Sequence, residues 1–549
     1  MAGSCGADDD ALTPATAAGS RWAGSHLTVV QNGRGLRVRG DLAGLWPVFY
    51  TCPGDGTLVW ATAAAPLAAL TGAEPDLVRV VAGIALSGVD AFGSHSYFPG
   101  VHRVPPGSEL VVDVAGPRTV AYEDLRPPID PEAREAVAAA LTEAVDLRMA
   151  ASRQPSADLS GGKDSSTLAC LASQRTEITA FTYTDDRSVN ADLDYARAVA
   201  TAFPGMDHRI VTGDAGTTDY ARLSDPAAVP VTDAPVLALG VLGLLRTMHA
   251  AVADCGSDMH LCGEGGDAVL TGDPALLADL LRQRRLRDAA VGGATWSRVG
   301  LRSVQQTWLR TAALARTSYP GALACLASRL RGPDPLAPSA NPLTWCATRP
   351  ATGWLTRPGR DALAALVSDS ASWAPADLEP GLVHQWQGIW ASGAQHGDLL
   401  RIAADDGVHA LHLPYLDNAV IRACVASDPL ERLPGHSYKP LLNGLAPTVP
   451  ALLLERTSSG AFDGTGHAGV QRRHAWLREI IGTSRLAAAG LLDRTAARAG
   501  LDRAVVGAGP LSDLRLLICA ETWLTTVLRD RATWWTTDPN PQEAACAGG

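Results

Sequence analysis

Lysine is almost absent from this sequence. Its 549 residues include two lysines, Lys163 and Lys439, so arginine supplies nearly all of the 46 basic residues. A bias towards Ala, Gly and Arg is typical of GC-rich bacterial genomes and carries no information on mechanism. Acidic residues number 57, and the formal net charge is −11. An acidic chain of this kind excludes nucleic-acid binding as its main role.

Paired cysteines and long apolar runs are also missing. The ten cysteines are spread singly, without a Cys-x-x-Cys pair, which is typical of a reduced cytoplasmic protein and not of a disulfide framework. No apolar run approaches the eighteen or more residues of a membrane span, and residues 1–10 lack the features of a signal peptide. No His and Cys cluster has zinc-site spacing, and His208 and His412 are expected to be structural.

The segment Ser160–Ser166, of sequence Ser-Gly-Gly-Lys-Asp-Ser-Ser, predicts a phosphate-binding turn between a strand and a helix. Paired glycines let the backbone approach a ligand closely, small hydroxyls donate hydrogen bonds, and a helix N-terminus supplies N–H groups at a positive dipole end. The Walker A pattern is absent there, and the acidic Asp164 indicates a carboxylate that holds Mg²⁺ on the phosphates. The structural alternative is an ordinary Gly-Gly turn capped by Asp and Ser.

This Ser-Gly-Gly-x-Asp-Ser pattern resembles the pyrophosphate loop of the ATP pyrophosphatases, the group of asparagine synthetases, β-lactam synthetases and lasso peptide cyclases. The resemblance implies ATP and Mg²⁺ as cofactors, cleavage of ATP between its α and β phosphates, an acyl-adenylate, and transfer of the acyl group to an amine. It also implies an α/β fold, with a carboxyl-terminal doubly wound parallel sheet of the adenine-nucleotide α-hydrolase type and helical insertions. The nucleotide-binding residues implied in the loop are Leu159, Ser160, Gly161, Gly162, Asp164 and Ser165.

Further segments occur in the family's order. They are a second strand at Ile178–Tyr183, an acidic-x-x-Tyr-Ala helix start at Asp192–Ala196, a strand with a Gly-Glu-Gly-x-Asp loop at Met259–Asp267, a counterpart of Val-Pro-Phe-Leu-Asp at Leu413–Asn418, and Tyr438–Leu442. Tyr183 and Gly263 are the candidate nucleotide-binding residues in these segments. Such ordered matches favour membership of the superfamily over a chance likeness.

Asp164 and Asp267 are the candidate metal ligands. Each follows a predicted strand, and the carboxyl ends of parallel strands meet at one edge of a sheet, where open α/β sheets bind ligands. Two carboxylate oxygens, together with phosphates and waters, fit the octahedral coordination of Mg²⁺. We therefore expect the two side chains to converge on one ion.

Glu264 and Lys439 are the candidate catalytic residues. The attacking amine must lose a proton, and a carboxylate whose pKa is raised by burial and acidic neighbours can accept it. The alternative for Glu264 is that it orders its own glycine loop. The assignment of Lys439, as the cation that balances charge on the adenylate, comes from the resemblance.

The amino-terminal part has a different pattern. From His26 to about Tyr122, short β-like runs alternate with turns, and this part resembles the N-terminal-nucleophile hydrolase domain of glutamine-using family members. Those enzymes begin Met-Cys-Gly, whereas this chain has Ala2 in the cysteine position and Cys5 three residues later. Because a glutaminase needs its thiol and base in defined proximity, we expect a degenerate α+β domain with a structural role.

These patterns predict four segments. Residues 1–20 are expected to be disordered, 21–126 to form the degenerate glutaminase-like domain, 130–535 to form the ATP pyrophosphatase domain, and 536–549 to form a loose tail. Between Asp273 and Arg401 we expect a mainly helical region.

Three functions compete. A lasso peptide cyclase, a macrolactam synthetase, would adenylate an Asp or Glu side chain of a precursor core peptide and join it to the peptide's N-terminal amine. A leader peptidase and a leader-binding protein would act beside it. The second function is an asparagine synthetase, dependent on ammonia or glutamine, and the third is a catalytically inactive scaffold.

Several features favour the cyclase. The segments Pro66–Gly72 and Pro414–Cys424 are similar to lasso cyclases, and the Glu and Arg that asparagine synthetases carry before the proline are missing here. The retained residues Ser160, Asp164, Glu264, Asp267 and Lys439 argue against the inactive scaffold.

Two positions depart from the cyclases. Lys163 replaces the usual Leu of the loop, so it either contacts a phosphate or points to solvent. Ser459 stands where the family often has Lys, and we hypothesise that Lys163 compensates for that lost cation.

Overall fold

The structure is a computed structural model. It describes residues 2–3, 22–33, 35–54, 57–88, 93–187, 191–334, 336–339, 343–370, 378–433, 438–446, 448–457, 460 and 463–529. Ser459, Cys5 and the segment 536–549 lie outside these residues, so the predictions made for them are not tested.

Two antiparallel sheets form the amino-terminal part. Their strands are β1 (Ala2–Gly3), β2 (His26–Asn32), β3 (Gly35–Arg39), β4 (Phe49–Thr51), β5 (Val59–Ala61), β6 (His102–Arg103), β7 (Ser108–Asp113) and β8 (Gly116–Ala121). The first sheet has the order β1-β2-β3-β7-β8 and the second the order β5-β4-β6. Helices α1 (Ala64–Thr71) and α2 (Leu77–Ala85) follow β5. The β-like runs of the sequence are confirmed as strands.

The edge strand β1 corrects one expectation. Ala2 pairs with Leu27 and Gly3 with His26 in antiparallel register. The disorder expected for residues 1–20 therefore does not extend to Ala2 and Gly3, because backbone hydrogen bonding to a sheet edge depends little on side-chain type.

A five-stranded parallel sheet forms the centre of the larger part. Its strands are β9 (Pro155–Asp158), β10 (Ile178–Thr184), β11 (Met206–Thr212), β12 (Met259–Leu261) and β13 (Leu411–His412), in the order β11-β10-β9-β12-β13. The chain moves outward from β9 to β11, then returns to add β12 on the other side of β9. The strand order thus reverses between β9 and β12, which is the place where open α/β sheets bind ligands.

Helices surround this sheet, and the expected helical region lies between β12 and β13. The helices are α3 (Ala133–Met149), α4 (Lys163–Ser173), α5 (Asp192–Ala202), α6 (Leu242–Asp254), α7 (Gly266–Leu270), α8 (Leu276–Arg282), α9 (Leu286–Val299), α10 (Val304–Arg316), α11 (Tyr319–Leu330), α12 (Arg357–Ser370), α13 (Pro380–Asp405), α14 (Asn418–Val425), α15 (Pro429–Arg432), α16 (Ala451–Leu454), α17 (Asp463–Arg472), α18 (His474–Gly482), α19 (Arg485–Ala488), α20 (Arg494–Val505) and α21 (Leu511–Arg529). The structure is therefore a mixed α/β fold with one parallel sheet.

The amino-terminal part is packed into the larger part. Its helices α1 and α2 share one apolar core with α12 and α21. The Asp233 carboxylate, from the larger part, accepts hydrogen bonds from Ala64 N (2.7 Å) and Ala65 N (3.0 Å) at the start of α1. Such a cap satisfies N–H groups that the first helical turn leaves unpaired.

One stretch of the described residues, Leu237–Asp254, is long and apolar enough to span a membrane, with a mean hydropathy of 1.3. The sequence expectation concerned unbroken apolar runs, and this stretch is interrupted by Arg246 and His249 and ends at Asp254. Helices in the cores of soluble proteins meet the same criterion, and here Leu239 and Leu242 are buried in the main apolar core.

Candidate active site

The loop after β9 is held in shape by its own serines. Ser160 N donates to Ser165 Oγ (3.1 Å), Gly161 N donates to Ser166 Oγ (3.1 Å) and Gly162 N donates to Ser160 Oγ (3.1 Å). Gly161 has a φ of 81°, a conformation that favours glycine. The side chains of the loop thus hold its own backbone in place, and α4 begins at its end with Lys163.

A buried arginine supports the same loop from behind. Arg456 donates through its NH1 group to Gly161 O (2.6 Å), pairs with the Asp192 carboxylate, and lies 4.4 Å from the centre of the Tyr195 ring. The acidic-x-x-Tyr-Ala segment and the segment that begins at Arg456 thus meet at Gly161. No pattern in the sequence indicated this role of Arg456, which lies three residues before Ser459.

Two predicted metal ligands and the predicted cation come together across the switch point. The Lys439 ammonium forms an ion pair with Asp164 and another with Asp267 Oδ1, at 2.7 Å. Lys439 is 3% exposed, whereas the Asp267 side chain is 84% exposed. The loops after β9 and β12 therefore bring both carboxylates within reach of one cation, as their positions after strands predicted.

Electrostatics in this cluster favour ligand binding. Burial raises the pKa of Asp164 to about 6, against the opposing effect of Lys439. Burial disfavours the charge of Lys439, but Asp164 and Asp267 outweigh it and raise the pKa of Lys439 well above its ordinary value. The ammonium of Lys439 is thus stabilised in its charged form, whereas the pKa of Asp164 lies above the usual range of an aspartate.

The residues fit a magnesium ion. Asp164 Oδ1 is buried and has no hydrogen-bond partner among the described residues, and an unpaired buried carboxylate oxygen is a suitable ligand for a hard cation. Asp267 supplies a second, exposed carboxylate. Within the described ranges no group of three or more His, Cys, Asp or Glu residues could hold a metal without further ligands, so phosphate oxygens and waters would complete the coordination.

Lys163 does not point to solvent, as one of its two predicted orientations would require. Its side chain is buried, with the residue 4% exposed, and Nζ donates to Tyr438 O (2.5 Å) and Leu454 O (2.5 Å). Burial and the neighbouring charge of Lys439 lower the pKa of Lys163 to about 8. Lys163 therefore ties the phosphate loop to the residue immediately before Lys439.

Replacing Lys163 with methionine should weaken the connection between the phosphate loop and the segment that carries Lys439. Losing the donor deprives the carbonyls of Tyr438 and Leu454 of their hydrogen bond from Lys163. The cost is about 1–3 kcal/mol, which corresponds to a roughly 5- to 150-fold slower adenylate formation if Lys439 is displaced. ATP–pyrophosphate exchange measures that step. Arg209→Met, at an exposed ion pair with Asp207, serves as the control. Unchanged exchange in Lys163→Met would mean that Lys439 is held without Lys163.

Glu264 lies at the open side of the cluster. Its side chain is 58% exposed, and its Oε2 atom lies 3.1 Å from Nε2 of His396 on α13. Sequence reasoning did not identify His396, which is 132 residues from Glu264 in the helical region with little family signal. The burial expected for the Glu264 carboxylate is therefore wrong: the side chain is exposed, and its Oε2 atom is in contact with a histidine.

The remaining candidates of the nucleotide site lie at the ends of strands. An added Cβ on Gly263 would lie 2.4 Å from Ser165 N, so the loops after β9 and β12 touch at a glycine. The Tyr183 hydroxyl donates to Thr217 Oγ1 (2.9 Å) at the end of β10. Leu159 is fully buried, and its carbonyl accepts from Thr182 Oγ1 (2.5 Å); its side chain belongs to the core beneath the loop.

Two side chains of the Leu413–Asn418 segment hold the site in place. The Tyr415 hydroxyl donates to Asp164 O (3.1 Å), and Asp417 forms a buried bidentate pair with Arg148 of α3 at 2.6 and 2.7 Å. This segment therefore connects the metal-ligand candidate Asp164 to helix α3.

Comparison with known proteins adds one match. A family model described as asparagine synthase covers residues 136–525, which include the loop of Ser160, Glu264, Asp267 and Lys439. No curated protein matches the chain.

Proposed function

Since the chain belongs to the asparagine synthase family, an ATP-dependent ligase family, we propose that it is a macrolactam synthetase. It would adenylate an Asp or Glu side chain of a precursor peptide and join that carboxyl to the peptide's N-terminal amine, with release of AMP and pyrophosphate. The observation that carries the proposal is the ion-paired cluster of Asp164, Lys439 and Asp267 beside the ordered loop of Ser160.

The arrangement suits transfer of an adenylyl group. Pyrophosphate carries several negative charges, so a site that releases it must neutralise them. Mg²⁺ bound by Asp164 and Asp267 would supply part of that positive charge, and the Lys439 ammonium lies beside both carboxylates to supply more. The ordered loop around Gly161 and the N-terminus of α4 would hold the phosphates. Glu264 would then accept the proton of the amine.

The choice of a peptide substrate rests on the sequence. The segment before Pro414 lacks the Glu and Arg that asparagine synthetases carry there, and Ala2 occupies the position of their catalytic cysteine. The family match itself fits an asparagine synthetase equally well. We further propose that the protein acts in the cytoplasm, with a leader peptidase and a leader-binding protein as its partners.

A panel of acyl acceptors and donors tests the proposal. The protein is incubated with ATP, Mg²⁺ and either synthetic linear peptides, each with a free N-terminus and one internal Asp or Glu, or free aspartate with ammonium. We expect pyrophosphate and a peptide product that has lost one water. ADP and phosphate as the nucleotide products would contradict adenylation, and asparagine as the product would show that the enzyme acts on the free amino acid.

Glutamine should not serve as the nitrogen donor. Ala2 lies in strand β1 at the edge of the amino-terminal sheet and offers no nucleophile, so amide hydrolysis should be absent. Glutamate release is measured after incubation with glutamine, in the unaltered protein and in Cys5→Ala. Release that disappears in Cys5→Ala would revive the glutamine-dependent asparagine synthetase.

A further inference from the structure

The contact between His396 and Glu264 carries an inference about amide formation. Nδ1 of His396 lies 2.7 Å from Ser392 O, in the preceding turn of α13. A carbonyl oxygen only accepts hydrogen bonds, so Nδ1 carries a hydrogen. The other ring nitrogen, Nε2, lies 3.1 Å from Glu264 Oε2.

The hydrogen count of this pair is informative. The contact at Nε2 places one hydrogen between the ring and Glu264 Oε2. This hydrogen bond holds Oε2 in place and leaves Oε1 to accept a proton from a substrate.

The amino-terminal part of the chain, here called the amino-terminal domain, contacts helix α13 close to His396. Trp390 Nε1 donates to Leu42 O (3.0 Å), one and a half turns before His396 on α13. One turn before it, an added Cβ on Gly393 would lie 2.0 Å from Ala43 O. The backbone of residues 42–43 therefore lies directly against the turn of α13 that carries His396.

We propose that His396 is a positioning residue for Glu264, and that the amino-terminal domain takes part in amide formation by holding α13. The inference rests on the proposed function. In the step concerned, the amine nitrogen bonds to the acyl carbon, and the bond from that carbon to the AMP oxygen breaks with its electron pair on AMP. One amine proton passes to Glu264 Oε1.

His396→Leu should separate the two half-reactions. The assay uses ATP, Mg²⁺ and the substrate, either a peptide or aspartate with ammonium, that gives most pyrophosphate in the panel above. Amide formation should fall about 10- to 100-fold, the range for partners that orient a reactive group. ATP–pyrophosphate exchange should stay unchanged, because adenylation does not use Glu264. Hydroxylamine, a strong nucleophile that is uncharged at neutral pH, should still capture the adenylate at the normal rate. His396→Gln keeps a side-chain N–H donor and should recover part of the lost rate.

A pair of glycines on α13 tests the role of the amino-terminal domain. Gly393→Ala should reproduce the loss of amide formation, whereas Gly388→Ala should not, since an added Cβ at Gly388 meets nothing within 4 Å. Equal amide formation in both glycine variants would overturn the role of the domain. Normal amide formation in His396→Leu, with Glu264→Gln impaired, would overturn the role of His396 alone. If the unaltered protein released no pyrophosphate with any substrate of the panel, the proposed function would be overturned, and this inference with it.

Discussion

Replacing Lys439 with methionine should lower adenylate formation by about 100- to 1,000-fold, the usual effect of removing one group that stabilises transition-state charge. The ammonium lies between Asp164 and Asp267, where the charge of the leaving pyrophosphate and of the adenylate would develop in the proposed reaction. ATP–pyrophosphate exchange measures the loss directly. Little adenylate should be available for trapping in this variant.

A double variant separates this effect from misfolding. Lys439→Met alone leaves Asp164 buried without its cation, and breaking a buried ion pair is strongly destabilising. Lys439→Met with Asp164→Asn removes both charges, so it should regain thermal stability without regaining exchange. Because Asp164→Asn alone is also expected to lose activity, thermal stability is the readout of the double variant: a double variant as unstable as Lys439→Met would show that the instability does not come from the unpaired Asp164 carboxylate.

The carboxylates provide a second check on the cluster. Asp164→Asn and Asp267→Asn should each lose most pyrophosphate release, because each removes a charged ligand for Mg²⁺. Asp113→Asn is the control, since Asp113 pairs with Arg118 at an exposed hairpin of the amino-terminal sheet. Equal losses in all three variants would point to a folding effect and not to a site.

Replacing Glu264 with glutamine should slow amide formation by about 100- to 10,000-fold, the typical loss of a general base. ATP binding and adenylation should persist, because among the described residues the exposed Glu264 side chain forms its ion pair with His396, whereas Lys439 forms its ion pairs with Asp164 and Asp267. The acyl-adenylate should then accumulate and be visible by mass spectrometry. This pattern is the opposite of that expected for Lys439→Met, which should lose the intermediate as well as the product.

An unaltered rate of amide formation in Glu264→Gln would reduce Glu264 to a residue that orders its own loop. The base would then have to be another group in the cleft. Thermal stability provides the control: the side chain is 58% exposed, so glutamine should fold as the original residue does.

The sequence was sufficient for the parts of the site that depend on local pattern. The strand–turn–helix unit around Ser160 was predicted from its glycines and hydroxyls. The convergence of Asp164 and Asp267 followed from their positions after strands of a parallel sheet. Lys439 follows Asp164 by 275 residues in the sequence. The family resemblance alone placed it in the site.

The features of the site that the sequence did not predict depend on tertiary contacts. Lys163 was expected at a phosphate or in solvent, and the solvent alternative is wrong, because its buried ammonium binds the carbonyls of Tyr438 and Leu454. No local pattern indicates which carbonyl a buried lysine will reach. Likewise, His396 meets Glu264 because α13 packs against the loop after β12, and the sequence around α13 contains no periodicity or motif that indicates a site.

The scarcity of lysine has a practical consequence for chemical labelling. Apart from the amino terminus, Lys163 and Lys439 are the only primary amines of the chain, and both are buried beside Asp164. An acyl-phosphate derivative of ATP, which acylates amines near bound phosphates, would thus modify this site without a background of surface lysines. Lys163, whose pKa is lowered to about 8, is the more nucleophilic of the two near neutral pH. The labelled peptide would report occupancy of the ATP site directly in a cell extract.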